Sequence, residues 1–151
     1  MSEFKPLNPN YEDVVRVSFG KQGIMGHIGA EIGVVKPGYC EIKLPYSDDV
    51  SQQHGFFHGG VVGTIADSAA GYAGFSLMAE GDGVLTVEYK LNLMAPADGD
   101  MLIAKGRVIR PGRTLTVTSA DVFVVKGDKE TQCGVMQQTL MRIVGRADVS
   151  G

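Results

Sequence analysis

A chain of 151 residues, 44% hydrophobic and 21% charged, has the size and balance of one folded unit, and a single domain over residues 1–151 is expected. Its net charge of −3, with 14 basic residues scattered and no basic stripe carrying aromatics, lacks the footprint of a nucleic-acid-binding protein. Two cysteines, Cys40 and Cys133, make no disulfide framework, and the start "MSEFKPLNPN" holds no apolar signal segment, so a cytoplasmic protein with reduced thiols is expected.

The elements follow in chain order. Asn10 is a candidate N-cap for a short helix through Val14, Val15 and Phe19, ended by Gly20. After the glycine-rich "GKQGIMG" the period switches to two: Ile28, Ala30, Ile32 and Val34 share one face of a strand, and His27 and Glu31 the other. The turn signal "KPG" leads to a second strand with Cys40, Ile42 and Leu44 inward. An apolar helix is predicted from about His58 to Glu80. Its window, Phe56 to Ala79, is long enough to cross a bilayer, but its small residues and central Asp67 favour a helix buried inside a protein, and no membrane partner is expected. The stretch "VLTVEYKLNLM" then alternates, with Leu85, Val87, Tyr89, Leu91 and Leu93 on one face and Thr86, Glu88, Lys90 and Asn92 on the other. Three β-rich segments close the chain, at about 101–110, 113–126 and 131–144, separated by "RPGR" and "KGDK". This order describes an α+β domain: an antiparallel sheet of about six strands around one long helix, preceded by a short one. One helix leaves such a sheet with open edges and an uncovered face, which calls for a homo-oligomer.

The stretch "QQHGFFHGG" places His54 and His58 at a spacing used by helical zinc sites. The glycines at 55, 59 and 60 disfavour helix through it, and no acid stands beside the first histidine, so no metal and no cofactor is expected. Gly59 and Gly60 can instead begin the apolar helix, whose first amides lack intrahelical acceptors and carry the positive end of its dipole. Such amides can form an oxyanion hole; a glycine pair can equally serve close helix–sheet packing. Asp67 is the only acid between Asp49 and Glu80. A carboxylate in an apolar helix suits a general base or nucleophile, and a structural bond to a backbone amide or hydroxyl is the alternative. Gly59 and Asp67 lie about 12 Å apart along one helix, so a single carbonyl meets both only if they come from two subunits.

The run "HGFFHGGVVGTIADSAAGYA", followed by "TVEYKLNLMAPA" and "RPGRTL", resembles the PaaI-like (phenylacetate-degradation type) hotdog acyl-CoA thioesterases over roughly residues 15–144. The resemblance implies a hotdog fold, a dimer with shared sites that in this family often pairs further into a tetramer, no metal, and an acyl-CoA substrate. By position it makes Asp67 the catalytic carboxylate and the Gly59 amide the oxyanion donor, with Gly60 beside it. Gln52 falls near the thioester and attacking water, His58 organises the turn, and Thr86 helps to hold the water. Arg110 and Arg113 correspond to a region near the CoA phosphates, and His54 lies at the substrate side of the turn. Some relatives carry a hydroxyl residue one turn after the acid, where this chain has Gly71. The implied reaction is hydrolysis of a thioester to a carboxylic acid and free CoA. A hotdog dehydratase and a non-catalytic acyl-CoA-binding protein are the alternatives on the same fold.

Overall fold

The computed structural model describes residues 4–151. Helix α1 spans Tyr11–Gly20 and a short helix α2 spans Gly23–Ile28. Strands β1 (Glu31–Lys36) and β2 (Tyr39–Pro45) form a hairpin. Helix α3 covers Gly59–Phe75, and four strands follow: β3 (Gly83–Leu93), β4 (Met101–Arg110), β5 (Leu115–Lys126) and β6 (Lys129–Ile143). All six strands form one antiparallel sheet in the order β1-β2-β4-β5-β6-β3, so β1 and β3 are its edges. This is the hotdog arrangement expected from the sequence, with α3 as the filling.

Helix α3 buries most of its surface because nearly every residue is apolar or small; Ile65, Ala66, Ala69, Ala70 and Ala73 are fully buried. Opposite them lie Ile42 and Leu44 of β2, Leu102 and Ala104 of β4, Val122 of β5, and Met136 and Leu140 of β6. The small residues bring backbone against backbone. A Cβ added at Gly106 of β4 would stand 2.3 Å from the carbonyl carbon of Ala69 and 2.5 Å from the amide of Ala70. The helix stops at Phe75, short of the expected Glu80. The Ser76 hydroxyl donates to the Ala73 carbonyl (2.7 Å) and accepts from the Gly38 amide (2.8 Å), tying the helix end to the β1–β2 turn.

Three local expectations are corrected. The passage after Gly20 is helical rather than the approach to a strand. Burial of Met25 outweighs the poor helix propensity of its glycines, and Gly29 ends the turn in the left-handed conformation at φ 80°. In β1, a bulge between Ile32 and Val35 shifts the inward position, so Val35 is buried and Val34 faces solvent. In β3, a bulge between Thr86 and Glu88 makes Val87 the extra residue. Thr86 pairs with Leu140, Tyr89 with Gln138 and Leu91 with Met136, all on the helix side of β6, whereas Leu85 pairs with Met141 on the outer face. The apparently faultless alternation of β3 therefore belongs to two faces, exchanged at Val87.

Both cysteines are free and buried; burial pushes the Cys40 thiol up to about 12 and the Cys133 thiol up to about 11, so both stay protonated at neutral pH. Among the described residues no helix is long and apolar enough to cross a membrane. The substitution Gly106→Ala drives a methyl group into the α3 backbone and should lower unfolding stability by about 3 kcal/mol, measured as a shift in the urea midpoint.

Candidate active site

The loop before α3 is built by short-range bonds. The Gln52 side-chain carbonyl accepts from the His54 amide, and the Gln52 backbone carbonyl accepts from the Gly55 amide (3.0 Å), with Gly55 at φ 81°. This leaves the Gln52 Nε2 without a protein partner among the described residues, on the wall of a cavity of ≈ 390 Å³ that also holds Gly59, Phe56 and Leu93. The turn leaves the His54 side chain in solvent.

His58 is the N-cap of α3. Its Nδ1 accepts from the Gly60 amide (2.8 Å), and its backbone carbonyl accepts from the amides of Val61 (3.0 Å) and Val62 (3.2 Å). One residue thus takes up two of the four orphan donors of the helix start, those of Gly60 and Val61, and its own amide donates to the Val50 carbonyl at 2.9 Å. Only the Gly59 N–H has no acceptor among the described residues. Each glycine has its own reason. A Cβ at Gly60 would stand 2.9 Å from the capping Nδ1, and one at Gly59 would stand 2.8 Å from Leu93 Cδ1. With the Gly60 N–H engaged by His58, Gly59 carries the unengaged amide at the positive end of the helix dipole.

Asp67 lies just over two turns further along α3 and is half-buried. Its neighbours are not uniformly apolar. The Thr86 hydroxyl donates to Asp67 Oδ1 at 2.7 Å, and the Gln138 amide donates to the same oxygen. Gln138 Nε2 also lies 3.2 Å from the Asp67 backbone carbonyl, and the Thr118 hydroxyl holds Gln138 Oε1 at 3.0 Å. Gln138 and Thr118 are both buried. Two sheet strands therefore fix one carboxylate oxygen, and Oδ2 is left without a partner among the described residues. Thr86 reaches Asp67 only because the Val87 bulge puts it on the helix side, contrary to the polar outer face that strict alternation implies.

Gln138 escapes the motif reading altogether. Its signal is a polar residue between Met136 and Leu140, on a strand face that is otherwise apolar.

The two halves of the candidate site are apart within one chain. Gln52 and Gly59 line one cavity, and Asp67 and Thr86 line another of ≈ 240 Å³. Neither Arg110 nor Arg113 lines either cavity; both are exposed, Arg110 at the end of β4 and Arg113 on the β4–β5 connection. No group of three or more His, Cys, Asp or Glu side chains suited to a metal ion occurs among the described residues. Replacing Gln138 by Leu would strand the buried Thr118 hydroxyl and remove a donor from Asp67, which should cost about 2 kcal/mol of stability by chemical denaturation.

Comparison with known proteins identifies the family. Residues 54–131, just over half the chain, match the Thioesterase superfamily. A thioesterase family protein from Silicibacter pomeroyi is 44% identical, with a TM-score of 0.88 over 89% of this chain and 99% of that one. The 1,4-dihydroxy-2-naphthoyl-CoA hydrolase of Listeria monocytogenes is 27% identical over 73% of this chain and 85% of its own length. The PaaI protein of the E. coli phenylacetic acid degradation operon shares the fold, with 19% identity and a TM-score of 0.80 over 92% of this chain and 97% of that one. The chain belongs to the thioesterase superfamily, as a thioester hydrolase with a PaaI-like hotdog fold.

Proposed function

We propose that the protein is an acyl-CoA thioesterase, a single hotdog domain that converts acyl-CoA and water to a carboxylic acid and CoA at a site shared by two subunits. The observation that carries this reading is the pairing, on one helix of a thioesterase-superfamily fold, of a single unengaged first-turn amide with a carboxylate that has one oxygen fixed and the other open.

The thioester carbonyl accepts from the Gly59 amide, which stabilises the oxyanion as water attacks. Asp67 Oδ2 takes the proton from that water while Thr86 and Gln138 hold Oδ1, orienting the carboxylate. Collapse of the tetrahedral intermediate expels the CoA thiolate, which recovers the proton from Asp67. Direct attack by Oδ2 on the carbonyl, breaking the C–S bond and releasing the CoA thiolate to give an anhydride that water then opens, is the nucleophilic variant. Gln52, through its unpaired Nε2, is positioned for the thioester or the water, and His58 acts through the helix start. His54 borders the substrate entrance, and Arg110 with Arg113 meets the CoA phosphates as exposed cations.

The distance between Gly59 and Asp67 supports assembly of the site from two chains. So does β3, an edge strand with exposed Leu85, Val87, Tyr89 and Leu93. Pairing of two β3 edges gives the dimer, and further pairing gives a tetramer. The two buried free thiols suit a reducing compartment such as the cytoplasm.

Two measurements test the mechanism. Asp67→Asn should lower kcat on the best acyl-CoA by about 10²–10⁴ while the oligomer persists in size-exclusion chromatography; retained turnover would remove Asp67 from the chemistry. Gly59→Pro deletes the amide proton at the first helical position, where the proline backbone is tolerated and the flexible end of Leu93 must give way to the ring, and should be equally inactive with the oligomer intact. Co-refolding the two inactive variants should restore about a quarter of wild-type activity, since half the dimers are mixed and each of those holds one intact site. No recovery would mean that the site is not shared.

A further inference from the structure

The acid of α3 stands at the end of a row of polar side chains that begins on β5. Thr118 of β5 and Gln138 of β6 are direct cross-strand partners on the helix side of the sheet, and both are buried. Ala120, Met136 and Leu140 flank them there, so the hydroxyl and the amide are cut off from water and each needs a partner.

The Gln138 amide has an acceptor end and a donor end, and the two meet different surroundings. The Thr118 hydroxyl donates to Oε1 at 3.0 Å, and among the described residues it is the one donor bonded to that oxygen. Nε2 faces acceptors: the Asp67 main-chain carbonyl at 3.2 Å, Asp67 Oδ1, and the Thr86 oxygen at 3.3 Å. Thr118 is itself held in place. A Cβ added at Gly74 of α3 would stand 3.5 Å from Thr118 Cγ2, so the methyl group lies against the helix. A β-branched side chain has few rotamers, and this one leaves the hydroxyl for Gln138.

Without that hydroxyl, Oε1 would be buried with no donor, which is costly. The amide could recover a bond by turning over, but its oxygen would then stand against the carbonyl and the carboxylate of Asp67. Such a contact is favourable only when the acid carries a proton to donate, and a protonated Asp67 takes none from water. The direction of one buried amide thus separates a carboxylate that serves as a base from one that does not.

We propose that Thr118, which has no bond to the carboxylate, is a positioning residue that fixes the Gln138 amide with its donors toward Asp67. Oδ1 then receives only donors, and the proton of the attacking water falls to Oδ2. The assignment rests on the thioesterase reading with Asp67 as the base.

The experiment is steady-state hydrolysis, by the intact oligomer, of the acyl-CoA that the wild type turns over fastest. Thr118→Val keeps the shape and removes the hydroxyl; it should lower kcat by about tenfold or more with KM changed by less than about twofold. Thr118→Ala carries the same expectation. Thr118→Ser keeps the hydroxyl and should recover most of the loss. Gln138→Leu should also lower kcat, and the double variant Thr118→Val/Gln138→Leu should be no slower than Gln138→Leu alone, because no amide is left to direct. A role in packing alone would lower the urea midpoint, leave kcat per folded site unmoved, and make serine no better than valine. Unchanged kcat in Thr118→Val and Thr118→Ala, a loss that serine does not recover, or losses that multiply in the double variant each overturn the role of Thr118 and leave the thioesterase reading standing. A wild type that hydrolyses no acyl-CoA, or an Asp67→Asn variant that keeps its turnover, overturns that reading and the role of Thr118 with it.

Discussion

The backbone of α3 at Ala69–Ala70 passes so near Gly106 that no Cβ fits between them, and this approach sets the depth at which the helix meets its sheet. With little side-chain bulk in between, a polar group on the sheet can reach the helix backbone itself. Gln138 does so, bonding both the main-chain carbonyl and the carboxylate of Asp67. The carboxylate is therefore held by two strands and its own helix, rather than by a loop, and elements of that kind hold a reactive group more narrowly. A larger residue on this stripe of α3 would push the helix outward and loosen these bonds together.

At the other end of α3 the fold solves a different problem, how to satisfy a helix start without closing it. His58 takes up three amides with one imidazole nitrogen and one carbonyl, and the two glycines keep side chains out of the way of the cap and of Leu93. The cap and the unengaged amide are adjacent residues with opposite fates. The histidine pair looks like a metal motif in sequence, but its members do unrelated things here: one caps, and the other sits on an exposed turn.

How far the sequence discloses this molecule depends on which signals are local. The long helix, the β1–β2 hairpin and the last three strands are legible because apolar runs and turn residues such as Gly38 and Gly127, both at positive φ, mark them directly. The acid and the helix-start glycine are legible from the HGG context. What escapes is whatever depends on partners distant in sequence. The helix through Gly23–Ile28 exists because Met25 finds the core, and the bulge at Val87 leaves no mark in a stretch that alternates perfectly. Gln138 becomes meaningful only when β6 is laid beneath Asp67, 71 residues earlier in the chain.

The same bulge constrains how two copies could be arranged. A second β3 laid antiparallel along this edge would find its longest unbroken run from Glu88 to Leu93, because the extra residue Val87 separates that run from Gly83–Thr86. A two-fold axis centred on that run would cross the strand close to Lys90 and Leu91. One surplus residue would thus index the symmetry of the assembly as well as the direction in which a threonine points.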